Sequence, residues 1–213
     1  NLTNLDHLDL GWNQLTGEIP LEIWNLTNLK NLRLSSNQLT GEISPEIKNL
    51  KKLVQLFLYQ NQFSGDLPFE IGELINLFQV YLQNNQFTGE ISQWIGKLTK
   101  LYQLDLSRNQ FTGEIPSDIE NLTELLMLDL SYNQFTGSIP SEIEKLTNLS
   151  GELSLNNNQF TSLPKSICNL PGYCNISLSN NNFCDEHKYD CIEDRSKKHY
   201  INIIYWKNQD CLN

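Results

Sequence analysis

The chain has 213 residues, of which 39% are hydrophobic, and a formal net charge of −10 at pH 7. This length allows one domain, or two small ones, with a sizeable core. The acidic balance argues against nucleic acid as the partner, because phosphate binding requires a basic patch. No apolar run approaches the roughly 20 residues of a membrane-spanning helix, so we expect no membrane insertion.

A 24-residue period organises most of the chain, and its template reads LxxLxLxxNxFxGxIPxxIxxLxx. The leucines that open successive units are Leu5, Leu29, Leu53, Leu77, Leu101, Leu125 and Leu149. The seventh unit gains one residue before Leu153 and loses one after Phe160, and a partial eighth unit runs over 173–183. Such a period predicts stacked structural units, none of which can bury its own core.

Each unit begins with a predicted strand. In the unit from Leu101, Leu104 and Leu106 alternate with polar residues, which is the period-2 pattern of a short strand. Asn109 follows the strand, where its side-chain amide is expected to bond backbone groups left unpaired as the chain turns. Stacking the units should therefore produce a parallel sheet followed by a buried asparagine ladder.

The second half of each unit predicts an aromatic spine and a short helix. Phe111 and its equivalents in other units should stack behind the asparagine ladder. We expect Gly113 to occupy a place where the inward space is too tight for a side chain. Pro116 suits the entry into the helix, whose inward positions are Ile119 and Leu122.

This template resembles the leucine-rich repeat family, and specifically its plant-type 24-residue class with the LTGxIP signature. That class includes polygalacturonase-inhibiting proteins and receptor-like kinase ectodomains, and similar repeats occur in bacterial surface proteins. The resemblance implies an α/β fold: a right-handed leucine-rich-repeat solenoid with a concave parallel β-sheet, short convex helices and a disulfide-stapled C-terminal cap. It brings no catalytic residues and no cofactor.

The domain limits follow from where the template ends: we expect the solenoid over 1–185 and the cap over 186–213. The five cysteines all lie in the last 46 residues, and they are Cys168, Cys174, Cys184, Cys191 and Cys211. This clustering, without a paired CxxC motif, favours disulfides over a metal site and predicts a secreted or cell-surface protein. The first hypothesis is a Cys184–Cys191 bridge, with Cys168–Cys174 or Cys191–Cys211 as alternatives.

Variable positions on the strand face are the candidates for binding, because folding does not prescribe them. The third to fifth units place several aromatic residues there, and polar residues border them as a rim would. The predicted ligand-binding residues are Arg33, Phe57, Tyr59, Phe78, Tyr81, Tyr102, Asp105, Arg108, Asp129 and Tyr132. Exposed neighbouring aromatics are typical of binding hot spots. The alternative explanation is that aromatics simply suit strands and stack across a ladder.

A second predicted surface comes from the QFTGEI segments, whose Gln, Thr and Glu residues point outward. Its threonine ladder contains Thr16, Thr40, Thr88, Thr112 and Thr136. Regular threonines about 4.8 Å apart are also found on ice-binding surfaces, although the neighbouring carboxylates oppose an ordered water layer. Alternatively, the Thr and Gln residues only solvate a short second sheet. The acid ladder supplies too few oxygens for calcium, so we expect no metal site.

Three functional hypotheses follow. The first is an extracellular recognition module that binds a protein, or a polysaccharide-associated ligand, through the aromatic patch. The second is a structural or display protein of the cell surface, and the third is ice binding by the threonine ladder. We expect no enzyme activity, because an open concave face excludes little water and the histidines are isolated. An uncapped first repeat would also expose apolar surface, from which we expect self-association.

Overall fold

The structure, a computed structural model, describes residues 2–91, 94–183 and 191. Its strands are β1 (His7–Asp9), β2 (Thr16–Gly17), β3 (Asn31–Arg33), β4 (Gln38–Leu39), β5 (Gln55–Phe57), β6 (Ser64–Asp66), β7 (Gln79–Tyr81), β8 (Gln86–Thr88), β9 (Gln103–Asp105), β10 (Met127–Asp129), β11 (Glu152–Ser154) and β12 (Asn175–Ser177). The strand at the start of each repeat joins one eight-stranded parallel sheet, in the order β1-β3-β5-β7-β9-β10-β11-β12. The predicted solenoid with a concave parallel sheet is confirmed.

The convex side carries short 3₁₀ helices instead of α-helical turns. They span Leu21–Asn25, Pro45–Asn49, Phe69–Glu73, Ile95–Lys97, Ser117–Asn121, Ser141–Lys145 and Lys165–Asn169. Proline precedes or opens most of them, as at Pro116 and Pro140, and the isoleucine is buried in each helix except the first, where Ile23 is partly buried. Three to five residues are too few for a helix to be stable alone, so burial of that isoleucine holds each turn in place.

Identical residues stack from repeat to repeat to form the core. The leucines of the strands from β3 onward are almost completely buried, and so is the predicted phenylalanine spine from Phe63 to Phe160. Neighbouring rings of that spine lie 6.1–6.2 Å apart between centroids. Fully burying a phenylalanine side chain contributes roughly 1.5–3 kcal/mol, so the spine is a main source of stability.

The asparagine ladder is also confirmed. Asn109 donates from its side-chain amide to the carbonyls of Leu82, Leu106 and Ser107, at 3.0–3.1 Å. Its side-chain oxygen accepts the backbone N–H of Phe87 at 3.1 Å. Because these partners belong to two successive repeats, each asparagine satisfies buried backbone groups and ties neighbouring repeats together.

The irregular seventh unit keeps its place in the sheet. Leu128 pairs with Leu153 and Asp129 with Ser154, so the extra residue does not shift the strand register. Gly151 precedes the strand and donates its backbone N–H to the carbonyl of Leu126 at 2.9 Å. A Cβ at Gly151 would lie 3.0 Å from that carbonyl oxygen, so a glycine suits this close approach of the two backbones.

The explanation predicted for Gly113 is wrong. Its φ is +75°, a left-handed conformation that favours glycine. A Cβ there would meet the Glu90 side chain at 2.7 Å instead of an inward-facing core group. The same pattern recurs where Glu42 covers Gly65. The outward acid of one repeat therefore packs over the glycine of the next.

The disulfide differs from all three pairings that the sequence predicted. Cys191 is bonded to Cys168, with the two Cα atoms 5.8 Å apart, so the Cys184–Cys191 hypothesis is wrong. The alternatives fail for the same reason, since Cys168 and Cys191 already have each other as partners. Cys174, the residue immediately before β12, is a buried free thiol, and burial raises its pKa to about 12. Cys184 and Cys211 lie outside the described residues, as does the predicted cap over 186–213 apart from Cys191.

The first repeat exposes several apolar side chains, among them Leu10, Trp12 and Leu15. Self-association through these residues stays a prediction, and so does the division of the chain at 185.

Candidate functional site

Strand register brings the main predicted binding residues into one row across the concave sheet. Arg33 pairs with Phe57, Phe57 with Tyr81, Tyr81 with Asp105, and Asp105 with Asp129. We call these five residues the central row. In each strand of this sheet the middle residue points into the core. The residues of the central row stand next to these middle residues and therefore face outward.

Two aromatic stacks lie on this face. The Phe57 and Tyr81 rings are 4.8 Å apart between centroids, and the Phe78 and Tyr102 rings are 4.7 Å apart and nearly parallel. Phe78 remains 39% exposed although it is a large apolar side chain. Stacking of this kind contributes about 0.5–1.5 kcal/mol beyond simple burial. The aromatics therefore stabilise one another and still present apolar surface to solvent.

A glutamine ladder separates the two stacks, and the sequence analysis had not singled it out. Gln55, Gln79 and Gln103 are paired in register, and the amide of each donates to the next. The Tyr81 hydroxyl also donates to the Gln103 side-chain oxygen at 2.6 Å. The signal in the sequence was the same residue type at one variable position in three successive repeats. This ladder restricts the orientation of the Tyr81 ring.

Two arginines on the concave face make cation–π contacts with aromatic rings. The Arg33 guanidinium lies 5.0 Å from the Phe57 ring centroid, and the Arg108 guanidinium lies 4.3 Å from that of Tyr132. Arg33 also lies 3.7 Å from the Asp9 carboxylate and donates to the Gln55 oxygen at 2.8 Å. The arginines are therefore held in place by the face that they border. Tyr59, the remaining predicted residue, is half-buried on β5's C-terminal side.

Asp105 and Asp129 form an acidic pair at the other end of the central row. Asp105 is buried, only 8% exposed, and its carboxylate accepts the Ser107 N–H at 2.9 Å. Burial raises the pKa of Asp105 to about 6, and the charge of Asp129 adds to this shift. Burial also raises the pKa of Asp129, although Ser131 and Arg108 oppose the increase. Because burial removes water from them, the charged forms of both carboxylates are energetically unfavourable in the folded chain.

Strained backbone positions lie beside the site. Arg108 and Tyr132 have φ values of 53° and 54°, in the left-handed region that non-glycine residues rarely adopt. The equivalent residues of other repeats, such as Gln60 and Asn84, share this conformation. The strain belongs to the turn that positions the asparagine ladder, and it projects the Arg108 and Tyr132 side chains at the rim of the concave face.

Several hydroxyls of the threonine ladder already donate hydrogen bonds within the solenoid. The hydroxyls of Thr112, Thr136 and Thr161 lie 3.2–3.4 Å from glycine carbonyls of the preceding repeat and donate to them. Thr88 donates instead to the Asp66 carboxylate at 2.6 Å. Strand pairing on this side occurs as β2–β4 and β6–β8, with an isolated parallel bridge between Ser138 and Ser162. These hydroxyl protons serve contacts between repeats, which agrees with the explanation that the segment supports a short second sheet.

Within the described ranges, no group of three or more His, Cys, Asp or Glu side chains is placed to hold a metal ion. Over the same residues, no helix is long and apolar enough to cross a membrane.

Comparison with known proteins places the repeats in a family. Three family models match: "Leucine Rich repeats (2 copies)" over 27–70, "Leucine rich repeat" over 75–135, and "Leucine Rich Repeat" over 4–26 and 152–170. The chain belongs to the leucine-rich repeat family, and its repeats are of the plant type. Among curated proteins, none matches the chain significantly.

Solved structures with similar folds include plant receptor ectodomains. The Arabidopsis receptor kinase HAESA ectodomain, in complex with an IDA peptide hormone, is 39% identical with a TM-score of 0.78, covering 82% of this chain and 29% of that one. The plant peptide hormone receptor RGFR1, in complex with RGF2, is 36% identical with a TM-score of 0.79, covering 83% and 28%. The chain therefore spans under a third of these receptor ectodomains.

A third similar structure is a plant ice-binding protein. It is 30% identical with a TM-score of 0.71, and the match covers 86% of this chain and 66% of that one. Likeness of fold thus extends to proteins of different function, so the function of this chain has to be argued from its own surface.

Proposed function

We propose that this chain is an extracellular recognition module that binds a protein partner on its concave face, through the two aromatic stacks. The observation that carries the proposal is the pair of stacks, Phe57–Tyr81 and Phe78–Tyr102, on the outward side of adjacent strands. The similar HAESA and RGFR1 structures hold peptide hormones, which supports a peptide or protein as the ligand. The disulfide supports an oxidising, extracellular compartment.

Energetics favour aromatics as anchors. A tyrosine or phenylalanine offers a large contact area and loses little conformational entropy on binding, since it has two rotatable side-chain bonds. The glutamine ladder and the Arg33 contact already restrict the Phe57 and Tyr81 rings. A surface ordered before binding loses less entropy when the partner docks. Among the residues of this face that the structure describes, none is arranged as a nucleophile with an adjacent base, and we propose binding without catalysis.

The test uses a random peptide library displayed on phage and selected on the immobilised chain. Peptides enriched on the unchanged chain should bind the double variant Phe57→Ser, Tyr81→Ser at least about tenfold more weakly, since hot-spot truncations cost 2 kcal/mol or more. The matched control is Gln110→Ser, Gln134→Ser on the exposed opposite segments. Equal binding to both variants would overturn the concave-face proposal.

Ice binding is the second candidate, and the similarity to a plant ice-binding protein is the observation that favours it. If the threonine ladder binds ice, the chain shows thermal hysteresis, and the substitutions Thr88→Tyr and Thr112→Tyr remove it. The internal hydrogen bonds of these hydroxyls weigh against that outcome. An absence of hysteresis in the unchanged chain dismisses the candidate without mutagenesis.

A further inference from the structure

The carboxylates at the two ends of the central row differ in whether a cation compensates them. At one end, Arg33 pairs in register with Asp9 on β1, and its guanidinium lies 3.7 Å from the Asp9 carboxylate and compensates that charge. At the other end, Asp105 and Asp129 are neighbours in register, and neither makes an ion pair within the described residues. The same column of outward residues thus carries one neutralised carboxylate and one uncompensated pair.

Further acid adds to this end. Glu152 follows on the next strand, and its charge raises the pKa of both Asp105 and Asp129. Among the described residues, Arg108 opposes this effect at Asp129, while its guanidinium lies over the Tyr132 ring. For the described residues, negative charge therefore exceeds positive charge at this end of the concave face.

The acidic pair directly continues the apolar stack. Tyr81 is the register neighbour of Asp105, so aromatic surface and uncompensated charge lie one strand apart, about 4.8 Å. From Phe57 to Asp129 the row crosses three strand spacings, about 14 Å. An extended peptide covers that distance with about four residues.

We infer that the partner presents an extended segment with a lysine or arginine beside an apolar or aromatic side chain. Its cation lies against Asp105 and Asp129, and its apolar group covers Phe57 and Tyr81. This inference rests on the proposed function and adds the chemistry of the partner to it. A cation at this place relieves the repulsion between two neighbouring carboxylates, whereas an acidic segment would increase it.

The experiment selects displayed random peptides on the whole chain and then compares their binding to two double variants. Asp105→Asn, Asp129→Asn removes both charges, and each new amide oxygen can still accept the Ser107 or Ser131 N–H. Glu18→Gln, Glu42→Gln is the matched control, because it removes two exposed carboxylates that pack over glycines on another side of the repeat.

The expected result is enrichment of lysine or arginine next to apolar residues. Binding of these peptides should fall about tenfold in the aspartate variant, stay unchanged in the control, and weaken as salt increases. Peptides that need Phe57 and Tyr81 but tolerate the aspartate variant would overturn the inference and leave the proposed function intact. Binding that depends on neither pair, or an absence of selected binders, would overturn both.

Discussion

Asn109 and Asp105 are two buried polar side chains of the same repeat, four residues apart, and they differ in how their polar groups are compensated. Asn109 is neutral, and its side chain makes four hydrogen bonds at 3.0–3.1 Å to the backbone of two repeats. Asp105 is equally buried, yet it carries a charge beside a second carboxylate. The asparagine satisfies backbone groups that folding leaves unpaired, whereas Asp105 holds a buried charge that the repeat template does not require.

This difference separates what builds the solenoid from what is available for binding. Every described repeat has asparagine at the ladder position, from Asn13 to Asn181. The Asp105 column instead changes along the chain from Asp9 through Arg33, Phe57 and Tyr81. A buried group that is costly and not demanded by the template is a candidate for function.

The largest effect is expected from the ladder. Asn109→Ala leaves the buried Phe87 N–H unsatisfied, which costs about 1–3 kcal/mol. It also removes one hydrogen bond, worth about 0.5–1.5 kcal/mol, from each of three carbonyls that keep a second donor. We expect the free energy of unfolding to fall by about 3–5 kcal/mol, measured by urea denaturation. Gln110→Ala, on the exposed neighbour, is the control and should change stability little. A loss below about 1 kcal/mol would show that the ladder is not a major source of stability.

Substitution of Asp105 should change the free energy of unfolding in the opposite direction to substitution of Asn109. Asp105→Asn removes a poorly solvated charge and keeps the acceptor for Ser107, so we expect stabilisation at pH 8 by about 2–3 kcal/mol. If Asp105→Asn is instead destabilising at pH 8, the charge is compensated in the folded state and the comparison with Asn109 fails.

The pH dependence follows from the raised pKa of Asp105. In the folded chain the Asp105 carboxyl keeps its proton up to about pH 6, whereas in the unfolded chain it releases the proton near the ordinary pKa of 3.8. The folded state therefore binds more protons between these values, and the contribution of this group to stability decreases as the pH rises through that range. Above about pH 6 the loss is complete. Urea midpoints of the unchanged chain and of Asp105→Asn, compared at pH 4 and pH 8, should diverge only at the higher pH.

The smallest effect concerns the strained turn between the Asp105 column and the asparagine ladder. Gln60 has a φ of 54°, so Gln60→Gly should relieve strain and raise the free energy of unfolding by about 0.5–1 kcal/mol. Gln62 is also exposed but is not in the left-handed region, so Gln62→Gly is expected to destabilise slightly. Thermal denaturation of both variants checks the sign, and a destabilising Gln60→Gly would show that the turn stores no relievable strain.

The sequence by itself determined the solenoid, because stacking demands the same residue at the same place in every repeat. The period, the asparagine ladder and the phenylalanine spine could all be predicted, since each is a template position whose partner is its own copy in the next repeat. The row of aromatics and acids on the concave face followed from the same register.

Only the tertiary structure decided features that depend on unlike residues meeting. Cys168 and Cys191 pair because the fold sets their Cα atoms 5.8 Å apart, and spacing along the chain carries no such distance. Glu90 over Gly113 and Tyr81 bonded to Gln103 are likewise contacts between different positions of neighbouring repeats. The burial that raises the pKa of Asp105 arises in the same way, because the solvation of one side chain depends on everything packed around it.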